Sequence, residues 1–407
     1  LHQKYQIDIA KYQKPYFLLL LPRISLSLGS FFVPLQVEKI PYLFYLYALI
    51  MEHNKPMHLV LENGTTFYGK SFGYEEPRAG EVVFSTAMVG YPESLTDPSY
   101  SGQILTVTYP LVGNYGVPQG ITENGLSTFY ESEIIHVSGL IISDYSFQYS
   151  HWNAQKSLSD WLKENKIPAI YGVDTRELTK IIREYGAMKG KLIFPDKEDV
   201  EFVDTDSENH VAKVSCKEVI TYGNGKKKVV LVDCGVKHNI LRCFLKRDVT
   251  LIRVPWDYDF NTLEYDGLFI SNGPGNPAYC NVTVENIRKA MTTGKPIFGI
   301  CMGNQLLSIA GGAKTYKLKY GHRSHNQPVR MAGTNRCFVT SQNHGYAVDN
   351  NTLGSDWEPL FINLNDGTNE GIRHKTKPYF SAQFHPEASS GPTDTEFLFD
   401  EFLKLID

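Results

Sequence analysis

Lys295-Pro-Ile-Phe-Gly-Ile-Cys-Met-Gly-Asn-Gln305 decides how the rest of this chain is read. The apolar run 296–300 has the length and composition of a buried strand, and 302–310 has the pattern of a helix. Between them, Gly299-Ile-Cys-Met-Gly303 is G-x-C-x-G, the thiol counterpart of the strand–turn–helix elbow that G-x-S-x-G builds in serine hydrolases. The glycines permit a tight turn and leave room above the sulfur. A thiol at a helix N-terminus faces the positive end of the helix dipole, which favours thiolate. Alone, the same residues also suit a small buried cysteine closing a core strand. The surrounding sequence separates the two.

At 407 residues the chain is long enough for about two or three domains. A formal charge of −4 gives no basic footprint, so nucleic acid is not an expected partner. Cys216, Cys234, Cys243, Cys280, Cys301 and Cys337 form no C-x-x-C and no zinc-spaced Cys/His set. No metal is expected, and the thiols fit a reducing, cytoplasmic compartment. Asn63-Gly-Thr and Asn281-Val-Thr match the short glycosylation pattern and read as chance. There is no G-x-x-x-x-G-K-[ST], and Asp233-Cys-Gly-Val-Lys237 has one glycine where a dinucleotide fingerprint wants three.

Residues 1–56 differ from everything after them. Their apolar runs, 17–21 and 41–50, fall short of the roughly 20 residues that span a bilayer, so no membrane association is expected. No clear cleavage site marks a targeting segment, and Met51 or Met57 would serve as a start. The segment is set aside as an atypical extension, non-native or disordered. Residues 57–200 read as a β-rich mixed domain. Two apolar runs around Asn63-Gly64 signal a hairpin, and strand-like runs follow at 82–84, 104–109 and 137–142. Residues 152–166 and 174–186 read as amphipathic helices, the second opened by an Asp174/Glu177 capping box. Residues 201–227, first acidic and then rich in Gly and Lys, read as a linker. Residues 228–407 alternate apolar strands with helices, the pattern of an α/β, doubly wound, mostly parallel sheet. Ligands then bind beyond the carboxyl ends of the strands, where Cys234, Ser271 and Cys301 fall.

A cysteine nucleophile needs a base, and the base needs an orienting group. Residues 379–387, Tyr-Phe-Ser-Ala-Gln-Phe-His-Pro-Glu, read as a strand ending in His385-Pro386-Glu387. Pro386 biases His385 to an extended backbone. In extended chain, i and i+2 share a side, so Glu387 can reach the imidazole and fix its tautomer. An oxyanion needs converging backbone N–H groups. Ser271-Asn-Gly-Pro-Gly-Asn-Pro277 supplies rigid backbone at the same edge, and the N–H of Met302 is a second donor. Thr340-Ser-Gln-Asn-His-Gly-Tyr346 adds groups suited to a polar substrate. Singly, each piece is also an ordinary strand end or loop.

Together and in this order, these motifs resemble the class I (Cys-His-Glu) glutamine amidotransferases. Gly80-Glu-Val-Val-Phe84, Gly90-Tyr-Pro-Glu-Ser-Leu-Thr-Asp-Pro-Ser-Tyr100, Tyr109-Pro-Leu-Val-Gly-Asn114 and Val173-Asp-Thr-Arg-Glu-Leu-Thr179 resemble the N-terminal domain of the carbamoyl-phosphate synthetase small subunit. The resemblance covers 58–407. Segments 254–257, 321–328 and 365–371 bring it nearer to the eukaryotic multifunctional pyrimidine-pathway proteins, where the glutaminase is fused to a synthetase. It implies that Cys301 attacks the glutamine carboxamide, His385 moves the proton, Glu387 orients His385, and the N–H groups of Gly273 and Met302 hold the oxyanion. It also implies glutamine contacts from Ser99, Gly275, Gln305, Asn343, Gly345 and Tyr346. Ammonia would pass to a synthetase, a large subunit or a fused domain, that makes carbamoyl phosphate for pyrimidine or arginine synthesis. ATP and Mg2+ are expected on that partner only, with no cofactor in this chain. Three residues depart from the common pattern: Met302 and Asn304 stand where Leu and His are usual, and Asn276 where Asp is. Met for Leu preserves volume, and none of the three is a triad position. Two rivals remain. A glutaminase for GMP or anthranilate synthesis would lack the 58–200 half, and a non-catalytic regulatory partner would not need Cys301, His385 and Glu387 intact.

Overall fold

The computed structural model describes residues 54–406; residues 1–53 of the extension lie outside the described residues. The first half closes on itself. Pro56–Leu61 and Thr66–Ser71 pair antiparallel across the Asn63-Gly64 turn, where Asn63 Oδ1 accepts from the Thr65 N–H at 2.9 Å. The strand order runs on through Met188–Ile193, Arg78–Ser85, Gln103–Val107, Gly139–Ile141 and Ala169–Tyr171, which returns to Thr66–Ser71 to complete a barrel. Closure leaves no exposed sheet edge. Leu59, Val82, Ile104, Ile141, Ile170 and Leu192 form one fully buried cluster. Helix Thr175–Tyr185 starts where the capping box placed it, with Asp174 accepting from the Glu177 N–H at 2.9 Å. The helix expected over 152–166 is shorter. Ala154–Lys156 is a strand paired with Val117–Pro118, and Ser157 caps Leu158–Glu164. The cap, rather than the exposed Trp152, sets the helix start.

The second half is a ten-stranded sheet. Its centre is five parallel strands in the order Val249–Pro255, Lys227–Asp233, Gly267–Ile270, Ile297–Ile300, Tyr379–Ala382. Their side chains alternate between two cores. Val229, Leu231, Phe269 and Phe298 pack with helices His238–Leu245 and Phe397–Lys404. Val230, Val232, Leu268 and Ile270 pack with Asn281–Met291 and Met302–Ala310. Burial on both faces is why these strands are continuous apolar runs. Beyond Tyr379–Ala382 the sheet continues antiparallel through Asn369–His374, Trp357–Asn363, Thr315–Met331 and Cys337–Val348. The last two are a long, polar hairpin without a parallel-strand signal.

Segment 201–227 is more than the linker expected of it. It holds helix His210–Val214 and contributes Ile220–Tyr222 as the antiparallel edge strand of the sheet. Its polar residues act as local caps: Asp204 accepts from the Asp206 N–H, and Asn209 from the Ala212 N–H.

Phe269 anchors the parallel core, with its ring centroid 4.9 Å from Phe244 and 5.3 Å from Phe298. Phe269→Ala is expected to lower stability by about 3–5 kcal/mol, read as a fall in the calorimetric melting temperature.

Candidate active site

The elbow forms as the glycines require. Cys301 takes φ 55°, ψ −102° between Ile297–Ile300 and Met302–Ala310. A non-glycine residue at positive φ stores roughly 1–3 kcal/mol of strain, which the surroundings must hold. A Cβ on Gly299 would collide with the Gly303 carbonyl, and one on Gly303 with the Ile270 carbonyl. The turn is pinned by the Cys301 N–H donating to Ala382 O (2.8 Å) and the Gly303 N–H to Ser271 O (3.0 Å). Met302 is the first helical residue, so its N–H has no acceptor within the helix. Gly273 passes so close to Cys234 that a side chain there would strike the Cys234 carbonyl.

His385 sits beyond the neighbouring strand, its N–H donating to Ser341 O at 2.9 Å. His385 Nδ1 lies 2.7 Å from Glu387 Oε1, and both residues are 2 % exposed. His385 Nε2 is buried with no hydrogen-bond partner among the described residues. Lys237, to which the sequence reading gave no role, completes the row with its ammonium 2.8 Å from Glu387 Oε1. Burial alone would push Glu387 up, but Lys237 and then His385 pull it down to about 2. Burial and Lys237 push His385 down, but the charge of Glu387, the nearby Cys301 sulfur and the hydrogen bond to Glu387 lift it to about 10. Asn239 fixes the Glu387 backbone through its side-chain amide.

One cleft is lined by Ser99, Gly273, Gly275, Cys301, Gln305, Asn343, Gly345 and Tyr346. Those residues come from both halves. Ser99 is tied across the seam by Asn272 Nδ2 (3.0 Å), and Asp97 by Asn343 Nδ2 (3.2 Å). Cys301 Sγ lies 3.7 Å from Asn343 O. His385 does not line this cleft; it lines an adjoining one with Lys237, and Asn343 borders both. The three departures have local roles. Asn304 and Ser381 bond at 2.7 Å in the core, Asn276 accepts from the Ala278 N–H, and Met302 is buried in the sheet's second core.

Residues 230–405 match the family described as Glutamine amidotransferase class-I, and 59–192 the Carbamoyl-phosphate synthase small chain, CPSase domain. Both halves of the chain thus resemble known families, one match to each. It is 52 % identical over 354 residues to human "Carbamoyl-phosphate synthase [ammonia], mitochondrial", covering 86 % of this chain and 24 % of the relative. It is 53 % identical over 372 residues to Dictyostelium discoideum "Multifunctional protein pyr1-3", covering 86 % and 17 %. Against Squalus acanthias "Multifunctional protein CAD" it is 53 % identical over 352 residues, covering 85 % and 16 %. The chain thus spans at most about a quarter of these relatives' length. No helix among the described residues is long and apolar enough to cross a membrane.

Glu387 sets the charge state of His385. The raised His385 value contributes stability that is complete below the ordinary imidazole value of 6.5 and is lost as pH rises through about 10, while the lowered Glu387 value contributes stability that is lost as pH falls through about 2. In Glu387→Gln, burial and Lys237 act unopposed by that charge. The His385 imidazole should then titrate below 6.5 by NMR, and the alkaline loss of melting temperature should disappear.

Proposed function

We propose that this chain is the glutaminase component of a glutamine-dependent carbamoyl-phosphate synthase. The carrying observation is the strained Cys301 at the head of a helix, backed by the buried His385–Glu387 pair. The two matched families and the relatives named as multifunctional proteins support the pairing with a synthetase.

In this reading, Cys301 Sγ attacks as the thiolate, its proton held on the His385 imidazole, and bonds to the carboxamide carbon of L-glutamine while the C=O electrons move onto oxygen. The N–H groups of Gly273 and Met302 hold that oxyanion. His385, charged at neutral pH, gives its Nε2 proton to the leaving nitrogen. The C–N bond breaks, ammonia departs and a thioester remains. The now neutral imidazole takes a proton from water, whose oxygen attacks the thioester, and collapse expels the thiolate and glutamate. Glu387 holds His385 Nδ1, so Nε2 is the nitrogen that trades protons, and Lys237 keeps Glu387 ionised. Gln305 Oε1, buried and unpartnered among the described residues, is an acceptor for the substrate ammonium. Ser99, Gly275, Asn343, Gly345 and Tyr346 complete the pocket.

No cofactor is assigned to the chain itself; ATP and Mg2+ belong to the synthetase step, a separate subunit or a fused domain. The proposed setting is the cytoplasm and pyrimidine supply, with arginine supply the alternative. The human relative is named for ammonia, which favours a second reading, a partner that generates none. An intact Cys301, His385 and Glu387 weigh against it.

Ammonia release from L-glutamine tests the proposal. The expected result is slow release by the chain alone and faster release beside a synthetase turning over ATP and bicarbonate. Cys301→Ala should be at least about 10³-fold slower. Release that survives Cys301→Ala overturns the mechanism. Release that needs Cys301 but ignores the synthetase overturns the pathway and keeps the glutaminase.

A further inference from the structure

Arg323 is a buried cation without a counter-ion among the described residues. It is 6 % exposed, and no carboxylate among the described residues lies within ion-pair distance of it. Its Nη1 donates to Tyr320 O at 2.8 Å, its Nε is buried with no partner, and Nη2 makes no hydrogen bond among the described residues. Glu81, a carboxylate that acts on it electrostatically, is committed to Lys317 and Gln103, each at 2.8 Å. Removing a guanidinium from water without a pairing anion is costly, so structures rarely keep one without use.

Its placement is specific. Arg323 lines the same cleft as Cys301 and sits opposite Asn343 in the hairpin register. Two glycines make room for its head. A Cβ on Gly321 would collide with Nη1, and one on Gly345 would rest 3.5 Å from Nη2. Nε and Nη2 are the edge of a guanidinium that accepts a carboxylate through two parallel hydrogen bonds. L-Glutamine carries one anionic group, its α-carboxylate, at the end remote from the carboxamide.

We propose that Arg323 binds the α-carboxylate of the amino-acid substrate and selects ligands that carry one. This rests on the glutaminase reading above for the identity of that substrate. With the carboxylate on Arg323 and the ammonium on Gln305, the carboxamide is the end left for Cys301. Ligands of the right length without a carboxylate are then rejected, because they leave the guanidinium buried and unpaired.

Equilibrium binding in a Cys301→Ala background separates the two readings, because no turnover is involved. Calorimetry with L-glutamine and with L-glutaminamide, which has a neutral amide in place of the carboxylate, gives a four-way comparison. Arg323→Met should weaken L-glutamine binding on the order of 100-fold and change L-glutaminamide binding by less than about threefold. Arg323→Lys, which keeps the charge and loses the fork, should fall between and guards against misfolding of the Met variant. Equal weakening of both ligands makes Arg323 structural and overturns the proposal. Unchanged L-glutamine binding overturns it as well. Neither outcome touches the glutaminase reading, which stands or falls on ammonia release in proteins that retain Cys301.

Discussion

The chain of charge Lys237–Glu387–His385 is the constraint on which the site depends. A buried ammonium and imidazolium flank one buried carboxylate, with contacts of 2.8 and 2.7 Å. The three together carry one net positive charge, and removing the carboxylate leaves two buried cations; breaking such a set by removing one partner costs several kcal/mol, about 3–5. The set is therefore weak evidence for stability and strong evidence for a fixed protonation pattern. It exists because the parallel sheet brings three strand ends to one edge. Lys237 follows Lys227–Asp233, Cys301 follows Ile297–Ile300, and His385 follows Tyr379–Ala382.

The halves meet through polar contacts at the same place. Besides the Asp97 and Ser99 bonds, Thr86 Oγ1 donates to Ser324 Oγ (2.9 Å), and Arg242 pairs with the buried Glu131 at 3.0 Å. The barrel thus supplies part of the pocket wall and part of the scaffold behind it. That explains why a half with no chemistry of its own in the sequence carries Ser99 into the cleft.

What the sequence made legible followed local rules. The elbow helix begins and ends at the residues its pattern gave, because Gly303 and the apolar periodicity act within one turn. The His385–Glu387 pairing was legible in the sequence, but its geometry was not: the strand ends at Ala382, and Pro386-Glu387 form a turn, closed by the Ala388 N–H on His385 O (3.3 Å), in place of the extended chain expected. The missing parts depend on pairing across distance. Lys237 gains meaning only when a strand end far along the chain lies beside it. Arg323 sits in a polar hairpin whose register with Asn343 no periodicity reveals. Segment 201–227 misled because its acids are helix caps and an edge-strand approach, and caps share their composition with solvated connectors.

Strand Tyr379–Ala382 lies inside the sheet, between Ile297–Ile300 and Asn369–His374, although it comes last in sequence among the described strands. During synthesis the barrel sequence is complete and Cys301 has already emerged while that slot is still empty. The thiol then lacks the carbonyl of Ala382 that pins its turn, and His385 and Glu387 are not yet translated. Until Tyr379–Ala382 fills that slot, the Cys301 turn lacks one of its pins and the thiol has no His385–Glu387 pair beside it, so the site is assembled by the strand that comes latest in sequence among those described.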